Sequence, residues 1–177
     1  MILTDKDFLC QPCQPCLSVE EGLEIIAKLS DALTASPTLG VGLAANQIGI
    51  QKRVCLLRIP EIDSQGFQYN VEFGLINPKI IKLENPVRFK REGCLSFPGQ
   101  WVETLRYTKC IVIDDLEPAG RTFIGMRAIV AQHEIDHTLG KTMYHSLLEN
   151  VRANRQCPCG SIKNFRECCK IIMKEMK

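Results

Sequence analysis

The sequence lacks any long apolar run, and this absence excludes a membrane-spanning helix. Such a helix needs roughly 18 or more consecutive apolar residues, and no stretch of the 177-residue chain approaches that length. Residues 1–7 also lack the basic segment and apolar stretch of a secretory signal, and no Arg- and Ser-rich transit peptide follows. We therefore expect a cytoplasmic protein with no membrane partner.

Internal repeats and low-complexity segments are absent as well. Apolar residues make up 45% and charged residues 24% of the chain, which is ordinary for a globular protein. We expect one catalytic domain over residues 1–150 and a small appendage over residues 151–177. The appendage carries seven Lys/Arg and two Asp/Glu, whereas the rest of the chain is net acidic. The basic tail is therefore the part that a polyanion would attract.

Cysteine, in contrast, is abundant, and its positions are clustered. The chain has ten cysteines, and they fall into an N-terminal group, three single positions and a C-terminal group: Cys10, Cys13, Cys16; Cys55, Cys94, Cys110; and Cys157, Cys159, Cys168, Cys169. Without an export signal, such clusters favour metal-binding thiolates in a reducing compartment over disulfides. The N-terminal group has no fourth ligand nearby, so we expect its thiols to be buried packing residues.

The strongest local motif is Gln132-His133-Glu134-Ile135-Asp136-His137. Four residues make about one helical turn, so His133 and His137 point the same way and can hold one metal ion. Glu134 can reach a water molecule on that metal. We predict a helix over residues 124–139 that Gly140 ends.

The same helix carries an apolar stripe of Met126, Ile129 and Val130 at helical spacing. These residues line an approach to the metal, or form core, or do both. Upstream, Ser18 begins a predicted helix that reaches about Thr34. Its expected apolar side is Leu23, Ile26, Ala27 and Leu33.

The rest of the domain reads as short strands. We predict them over residues 54–59, 73–76, 80–83, 87–90, 102–107 and 110–114. Residues 8–17 are expected to be extended and residues 61–70 to form a polar loop. Asn85-Pro86 is expected to separate two of the strands.

The third metal ligand has three candidate sources. A metzincin-like protease needs a histidine at position 143, where this chain has Met143. A gluzincin-like protease would use Glu149, which lies only about three turns further on what can be the same helix, so geometry disfavours it. The remaining source is Cys94, in the loop that follows the fourth of these strands. Two imidazoles and a thiolate leave one tetrahedral position open for catalysis.

A further segment, Gly40-Val41-Gly42-Leu43-Ala44-Ala45-Asn46-Gln47, has two glycines that allow close backbone approach. It lacks the third glycine of a nucleotide-binding loop. Taken alone, a surface loop is an equally good interpretation. Gln47 is a neutral amide that could donate to an oxygen.

Together, the segment 40–47, Glu92-Gly93-Cys94-Leu95-Ser96 and the motif 132–137 resemble the three signature motifs of the peptide deformylases, in order and at similar spacing. This resemblance covers roughly residues 18–148. The family removes the formyl group from the N-terminal methionine of newly made polypeptides and releases formate. We expect an α+β fold, with mixed or antiparallel sheets around a central metal helix.

The resemblance also implies roles for individual residues. Cys94, His133 and His137 would bind the metal, while Glu134 acts as general acid/base as hydroxide on the metal attacks the formyl carbon. The Gln47 side chain and the Leu95 backbone N–H would donate to the developing oxyanion. The metal is typically Fe(II) in this family, and Zn, Ni or Co can occupy the site. Glu92 and Arg106 resemble a supporting ion pair.

Substrate contacts follow from the same resemblance. The stripe of Met126, Ile129 and Val130 would form the pocket wall for the methionine side chain. Backbone groups of Val41 and Gly42 would pair with the extended peptide. The expected partners are nascent formyl-methionine polypeptides, and no DNA partner is expected.

The C-terminal cysteines Cys157, Cys159, Cys168 and Cys169 lie close enough together for one closed zinc site. Their segment resembles the SEC-C zinc motif, a binding module associated with ribosomes and protein partners. We expect it to associate with the ribosome through ribosomal RNA or another anionic surface. Two other functions remain open: a metallopeptidase that cuts peptide bonds, and a ribosome- or chaperone-associated zinc protein without catalysis.

Overall fold

The computed structural model describes residues 1–147. The predicted zinc site at Cys157, Cys159, Cys168 and Cys169 lies outside these residues, as does Glu149. Within residues 1–147, six strands form two separate three-stranded antiparallel sheets. The first sheet contains β1 (Gly42–Ala44), β2 (Val54–Ile62) and β3 (Gln68–Ile76), and the second contains β4 (Lys79–Gly93), β5 (Trp101–Ile113) and β6 (Arg121–Ile124), each in that spatial order.

Three α-helices accompany the sheets in the described part of the chain: α1 (Lys6–Leu9), α2 (Val19–Thr34) and α3 (Met126–Thr138). Single 3-10 turns follow β1 and precede the end of the described chain, at Ala45–Ile48 and Met143–Ser146. None of the helices within residues 1–147 is long and apolar enough to cross a membrane. The expected α+β fold with antiparallel sheets is confirmed.

The helix α3 packs between the two sheets, which makes it the centre of the fold. Its residues Ala128, Ala131 and Ile135 are buried in one apolar cluster with residues of β2, β3, β5 and β6. The side chain of Gln132 fixes α3 on β5: its Oε1 accepts from the Tyr107 N–H (3.0 Å) and its Nε2 donates to the Tyr107 carbonyl (2.7 Å). A buried amide without hydrogen-bond partners costs free energy. Keeping both bonds to Tyr107 therefore fixes the position of α3 on β5.

The strands are longer than the sequence pattern predicted. The two strands expected around Asn85-Pro86 are one continuous strand, β4. Asn85 takes a left-handed backbone angle (φ 59°), and pairing with β5 continues at Pro86, opposite Tyr107. β4 is an edge strand, where the missing proline N–H leaves no ladder bond unmade.

The polar loop predicted over residues 61–70 is also shorter than expected. β2 and β3 pair as far as Ile62 and Gln68, and only residues 63–67 turn. The Asp63 carboxylate accepts from the N–H groups of Gln65 and Phe67, at 2.8 and 2.9 Å. A turn that supplies its own hydrogen bonds allows the strands to run on.

The N-terminal segment departs from the extended prediction at its start. Asp5 caps the short helix α1 by accepting from the Asp7 and Phe8 N–H groups. This turn buries Leu9 completely. Cys13 and Cys16 are buried as expected, whereas Cys10 is only partly buried. The Cys13 thiol donates to Gln51 Oε1 (3.2 Å).

Helix α2 begins after Ser18 and ends at Thr34, as predicted, and Leu33 is buried as expected, but Leu23 and Ala27 of the predicted apolar side are exposed. Gly22, Ile25, Leu29 and Leu33 are buried, whereas Leu23 is half exposed. Gly22 allows this rotation, because a Cβ there would lie 2.6 Å from Ile76 Cγ1 of β3. The missing side chain of Gly22 lets α2 pack closely against the sheet on this face. Apolar periodicity did not predict the face, because glycine is not an apolar residue in that pattern.

Paired substitutions test this face of α2. We expect Leu29→Ala to lower the free energy of unfolding by about 2–5 kcal/mol, because it leaves a cavity in a fully buried site. Leu23→Ala on the exposed side should change it by about 0.5 kcal/mol or less. Urea denaturation followed by circular dichroism measures both. Equal losses for the two variants would contradict the observed packing.

Candidate metal and catalytic site

Three side chains that can bind a metal meet where β4 ends beside α3. Cys94 directly follows β4, and His133 and His137 lie on α3 one turn apart. One ligand atom from each residue lies within 4.8 Å of the others. The Cys94 Sγ and His137 Nε2 atoms are 3.3 Å apart. Within residues 1–147 this is the one group of three Cys, His, Asp or Glu side chains so arranged.

The Glu92 carboxylate orients one of the imidazoles. Its Oε1 lies 2.7 Å from His133 Nδ1. A carboxylate can only accept, so Nδ1 donates and Nε2 keeps the lone pair that a metal needs. Arg106 holds Glu92 with two bonds (2.8 and 2.5 Å), and its Nη1 donates to Asp136 Oδ2 (2.6 Å).

Burial and hydrogen bonds shift the pKa values of the groups in this network. Burial disfavours ionised Glu92, but hydrogen bonds from Arg106 and His133 outweigh it and hold the pKa of this carboxyl well below its usual range. Burial also lowers the pKa of His137, which favours the neutral imidazole. For His133, burial is overcome by the Cys94 and Glu92 contacts, which raise its pKa. Cys94 and Glu92 thus favour a positive charge beside them, and a bound divalent cation would supply it.

Glu134 lies in the same site but makes different contacts. Only 4% of the residue is exposed, and its Oε2 has no hydrogen-bond partner among the described residues. Burial raises the pKa of this carboxyl to about 7. A Cβ on Gly42 would lie 2.5 Å from Glu134 Oε1, so the carboxylate rests directly against the backbone of β1. The surface-loop interpretation of residues 40–47 is wrong, because residues 42–47 are buried.

Gln47 presents its amide N–H groups to the site. Its Oε1 accepts from the Ala44 N–H (2.8 Å), which fixes the amide orientation. Its Nε2 donates to Ser96 Oγ (3.0 Å) and lies 3.5 Å from Cys94 Sγ. Leu95 follows Cys94 and lines the same cavity.

A cavity of about 340 Å³ opens onto these groups. Its lining includes all five residues expected to contact substrate: Val41, Gly42, Met126, Ile129 and Val130. Ile129 and Val130 are buried, and Met126 is half exposed at the opening. Val130 also belongs to the core around α3, so the apolar stripe both packs the core and lines the approach to the metal site.

Three side chains that support the site were not predicted from the sequence. Ser96 accepts from Gln47, and Thr104 donates to Glu92 Oε2 at 2.5 Å. Asn46 Nδ2 donates to the His137 carbonyl (2.8 Å) and so holds the end of α3. Asn46 lies in the segment 40–47 and Ser96 in the segment 92–96, so their positions within the motifs could have indicated a supporting role. Nothing in the sequence indicated a role for Thr104, because only the pairing of β4 with β5 brings it to Glu92.

The residues present fit a divalent transition metal. One thiolate and two imidazoles are the donors that iron, zinc, cobalt and nickel accept. Three protein ligands leave one position of a tetrahedral site open, and the cavity reaches the ligands from one side. The arrangement therefore suits a catalytic ion with an open position better than a structural one.

Comparisons with known proteins find similarity to one family. The sequence profile of the family described as "Polypeptide deformylase" matches residues 1–153. A peptide deformylase of Aquifex aeolicus is 42% identical over 113 residues, covering 61% of this chain and 63% of that protein. One of Symbiobacterium thermophilum is 36% identical over 150 residues, covering 82% of this chain and 64% of that protein. The chain thus spans slightly less than two thirds of the length of these relatives.

Solved structures show the same fold. The crystal structure of a peptide deformylase from Legionella pneumophila is 30% identical, with a TM-score of 0.68, and covers 84% of this chain and 86% of that one. A probable peptide deformylase from synechococcus phage S-SSM7 is 34% identical, with a TM-score of 0.65, over 81% of this chain and 96% of that one.

Metal content tests the three-residue cluster. We expect Cys94→Ala in the full-length chain to lower bound metal by one ion per chain, because the thiolate is the charged ligand of the set. The control Cys110→Ala removes a buried thiol that lies outside the cluster and should keep the wild-type content. Elemental analysis by mass spectrometry counts the ions. Unchanged metal in Cys94→Ala would contradict the assignment.

Proposed function

Because the chain belongs to the polypeptide deformylase family, we propose that it removes the formyl group from the N-terminal formyl-methionine of newly made polypeptides and releases formate. The observation that carries this proposal is the meeting of Cys94, His133 and His137 beside a buried Glu134 at the end of an apolar cavity. Family membership adds the substrate class, which geometry alone does not supply.

In this proposal Cys94, His133 and His137 hold the metal. A divalent ion bound there would act as a Lewis acid toward water and the formyl oxygen. Glu134 takes the proton of the attacking water and later gives it to the leaving amine. Burial suits Glu134 to this exchange, since it raises the carboxyl pKa to about 7 and leaves Oε2 without a partner among the described residues.

The developing negative charge on the formyl oxygen needs donors that are already oriented. Gln47 can supply one, because its Oε1 is fixed by Ala44 and its Nε2 faces Cys94 and Ser96. The Leu95 N–H is the proposed second donor. A donor held in place before the reaction costs no reorganisation during it.

The peptide itself would bind along β1, an edge strand of its sheet. The Val41 carbonyl already accepts from the Arg58 N–H (2.9 Å). Hydrogen-bonded and non-bonded pairs alternate in antiparallel strands, so the Gly42 backbone groups face away from β2. Gly42 is therefore the better candidate for backbone pairing, while Met126, Ile129 and Val130 receive the methionine side chain.

Ferrous iron is the proposed native metal, with zinc, nickel and cobalt able to replace it. The Cys/His₂ donor set accepts all four ions. The cytoplasm, where new polypeptides are made, is the proposed compartment. A metallopeptidase and a non-catalytic zinc protein remain the competing functions, and the family match disfavours both.

For the tail we propose a closed zinc site of Cys157, Cys159, Cys168 and Cys169 that associates with the ribosome. Support comes from the compact spacing of the four thiols and from the excess of Lys/Arg in residues 151–177. An enzyme that acts on nascent chains would gain from tethering through a higher effective concentration of substrate.

The activity can be tested with a charge-removing substitution of the proposed acid/base. We expect Glu134→Gln to lower kcat for formate release from formyl-Met-Ala-Ser by roughly 10²- to 10⁴-fold, with bound metal unchanged. Glu24→Gln, on the exposed side of α2, is the matched control and should keep full activity.

Three outcomes distinguish the candidate functions in this assay. Formate release supports the deformylase. Internal cleavage of an unformylated peptide would indicate a metallopeptidase, and no product with a metal-loaded chain would indicate a non-catalytic protein.

Removal of residues 151–177 tests the tail. We expect the shortened chain to release formate from a short peptide at the wild-type rate but to co-sediment less with ribosomes. Salt should weaken co-sedimentation of the full chain, because phosphate contacts release counterions. Equal co-sedimentation of both chains would remove the tethering proposal, and loss of peptide activity would make the tail part of the catalytic fold.

A further inference from the structure

We propose that Arg91 and Trp101 form a second substrate-binding element, which binds an acidic side chain downstream of the N-terminal methionine. This inference rests on the proposed deformylase function. It assigns the site a preference among nascent chains that the metal, the acid/base and the methionine pocket do not provide.

Both residues line the same cavity as the metal-binding side chains. Trp101 is 61% exposed and Arg91 is also exposed, so they stand where the cavity opens to solvent. A peptide whose formyl end reaches Cys94 and whose methionine is enclosed must leave through this opening. Its next residues therefore pass the Arg91–Trp101 pair.

The backbone holds the pair in place. Gly93 and Trp101 are opposite each other in the β4–β5 ladder, and a Cβ on Gly93 would lie 2.6 Å from Trp101 Cζ3. The indole ring thus lies directly on a glycine. The Arg91 guanidinium stacks over that ring, with Cζ 5.4 Å from its centroid. A cation–π contact of this kind limits the positions of an otherwise mobile side chain.

The charge of Arg91 is unbalanced locally. Elsewhere on the same two strands, Arg88 pairs with Glu103 (3.0 Å) and Lys109 with Glu84 (2.9 Å). For Arg91, no carboxylate of residues 1–147 lies within ion-pair distance. The adjacent Glu92 is buried and bound to Arg106. A fixed guanidinium beside an open cavity is complementary to a carboxylate on the bound peptide.

Trp101 also provides the measurement, because it is the single tryptophan of the chain. Its fluorescence can be titrated in the full-length protein with C-terminally amidated product peptides, Met-Ala-Glu, Met-Ala-Gln and Met-Ala-Lys. The acidic residue is also moved to the second and fourth positions. At one position or more, we expect Glu to bind roughly two- to five-fold tighter than Gln, the range of an exposed ion pair, and Lys to bind more weakly. The preference should shrink in high salt.

Arg91→Gln should abolish the preference for Glu over Gln. Lys90→Gln is the matched control, because it removes the same charge from the residue directly before Arg91 in β4, and Lys90 does not line the cavity. This control should keep the preference. Formylated versions of the peptides, assayed for formate release, test the deformylase function separately from binding.

Four results would overturn the inference. One is equal binding of the Glu, Gln and Lys peptides at every position. A second is a preference that survives Arg91→Gln. The third is inhibition of formate release by the peptides without any change in Trp101 emission. If Arg91→Gln instead weakens ribosome co-sedimentation without altering peptide binding, Arg91 contacts an RNA phosphate and the peptide assignment is wrong. Formate release without peptide preference would leave the proposed function intact.

Discussion

The buried carboxylate of Glu92 is the contact on which the rest of the site depends. Its Oε1 accepts from His133 and Arg106, and its Oε2 accepts from Arg106 and Thr104. Four donors satisfy a group that would otherwise be too costly to bury. Glu92 lies on β4, Arg106 on β5 and His133 on α3, so one ionised group ties the second sheet to α3 and sets the orientation of an imidazole.

Burial produces opposite results at the two carboxylates of this site. Glu92 is surrounded by donors and keeps its charge, with a pKa well below the usual range. Glu134 lies against the Gly42 backbone with one oxygen unpartnered among the described residues, and its pKa rises to about 7. One carboxylate is thus fixed as an anion and the other is free to exchange a proton. This division matches a structural role for the first and an acid/base role for the second.

The sequence predicted most of the site and less of the fold, for physical reasons. The spacing of His133 and His137 follows from helix geometry alone, so their meeting was predictable, whereas Cys94 was reached by eliminating the other candidate ligands and was then supported by the family resemblance. The buried face of α2 was mispredicted because Gly22, which carries no apolar signal, decides it. The strand break at Asn85-Pro86 was mispredicted because edge position, a tertiary property, tolerates proline. Arg91 and Trp101 are ten residues apart, and only the β4–β5 register joins them.

The central claim is that a thiolate from the end of β4 and two imidazoles from α3 hold one catalytic ion. The most direct test is a crystal structure of the full-length chain loaded with cobalt, with anomalous scattering used to locate the ion. We expect an anomalous peak bonded to Cys94 Sγ and to one nitrogen each of His133 and His137, at the inner end of the cavity. A peak at that helix without the Cys94 sulfur, or no peak there at all, would contradict the account.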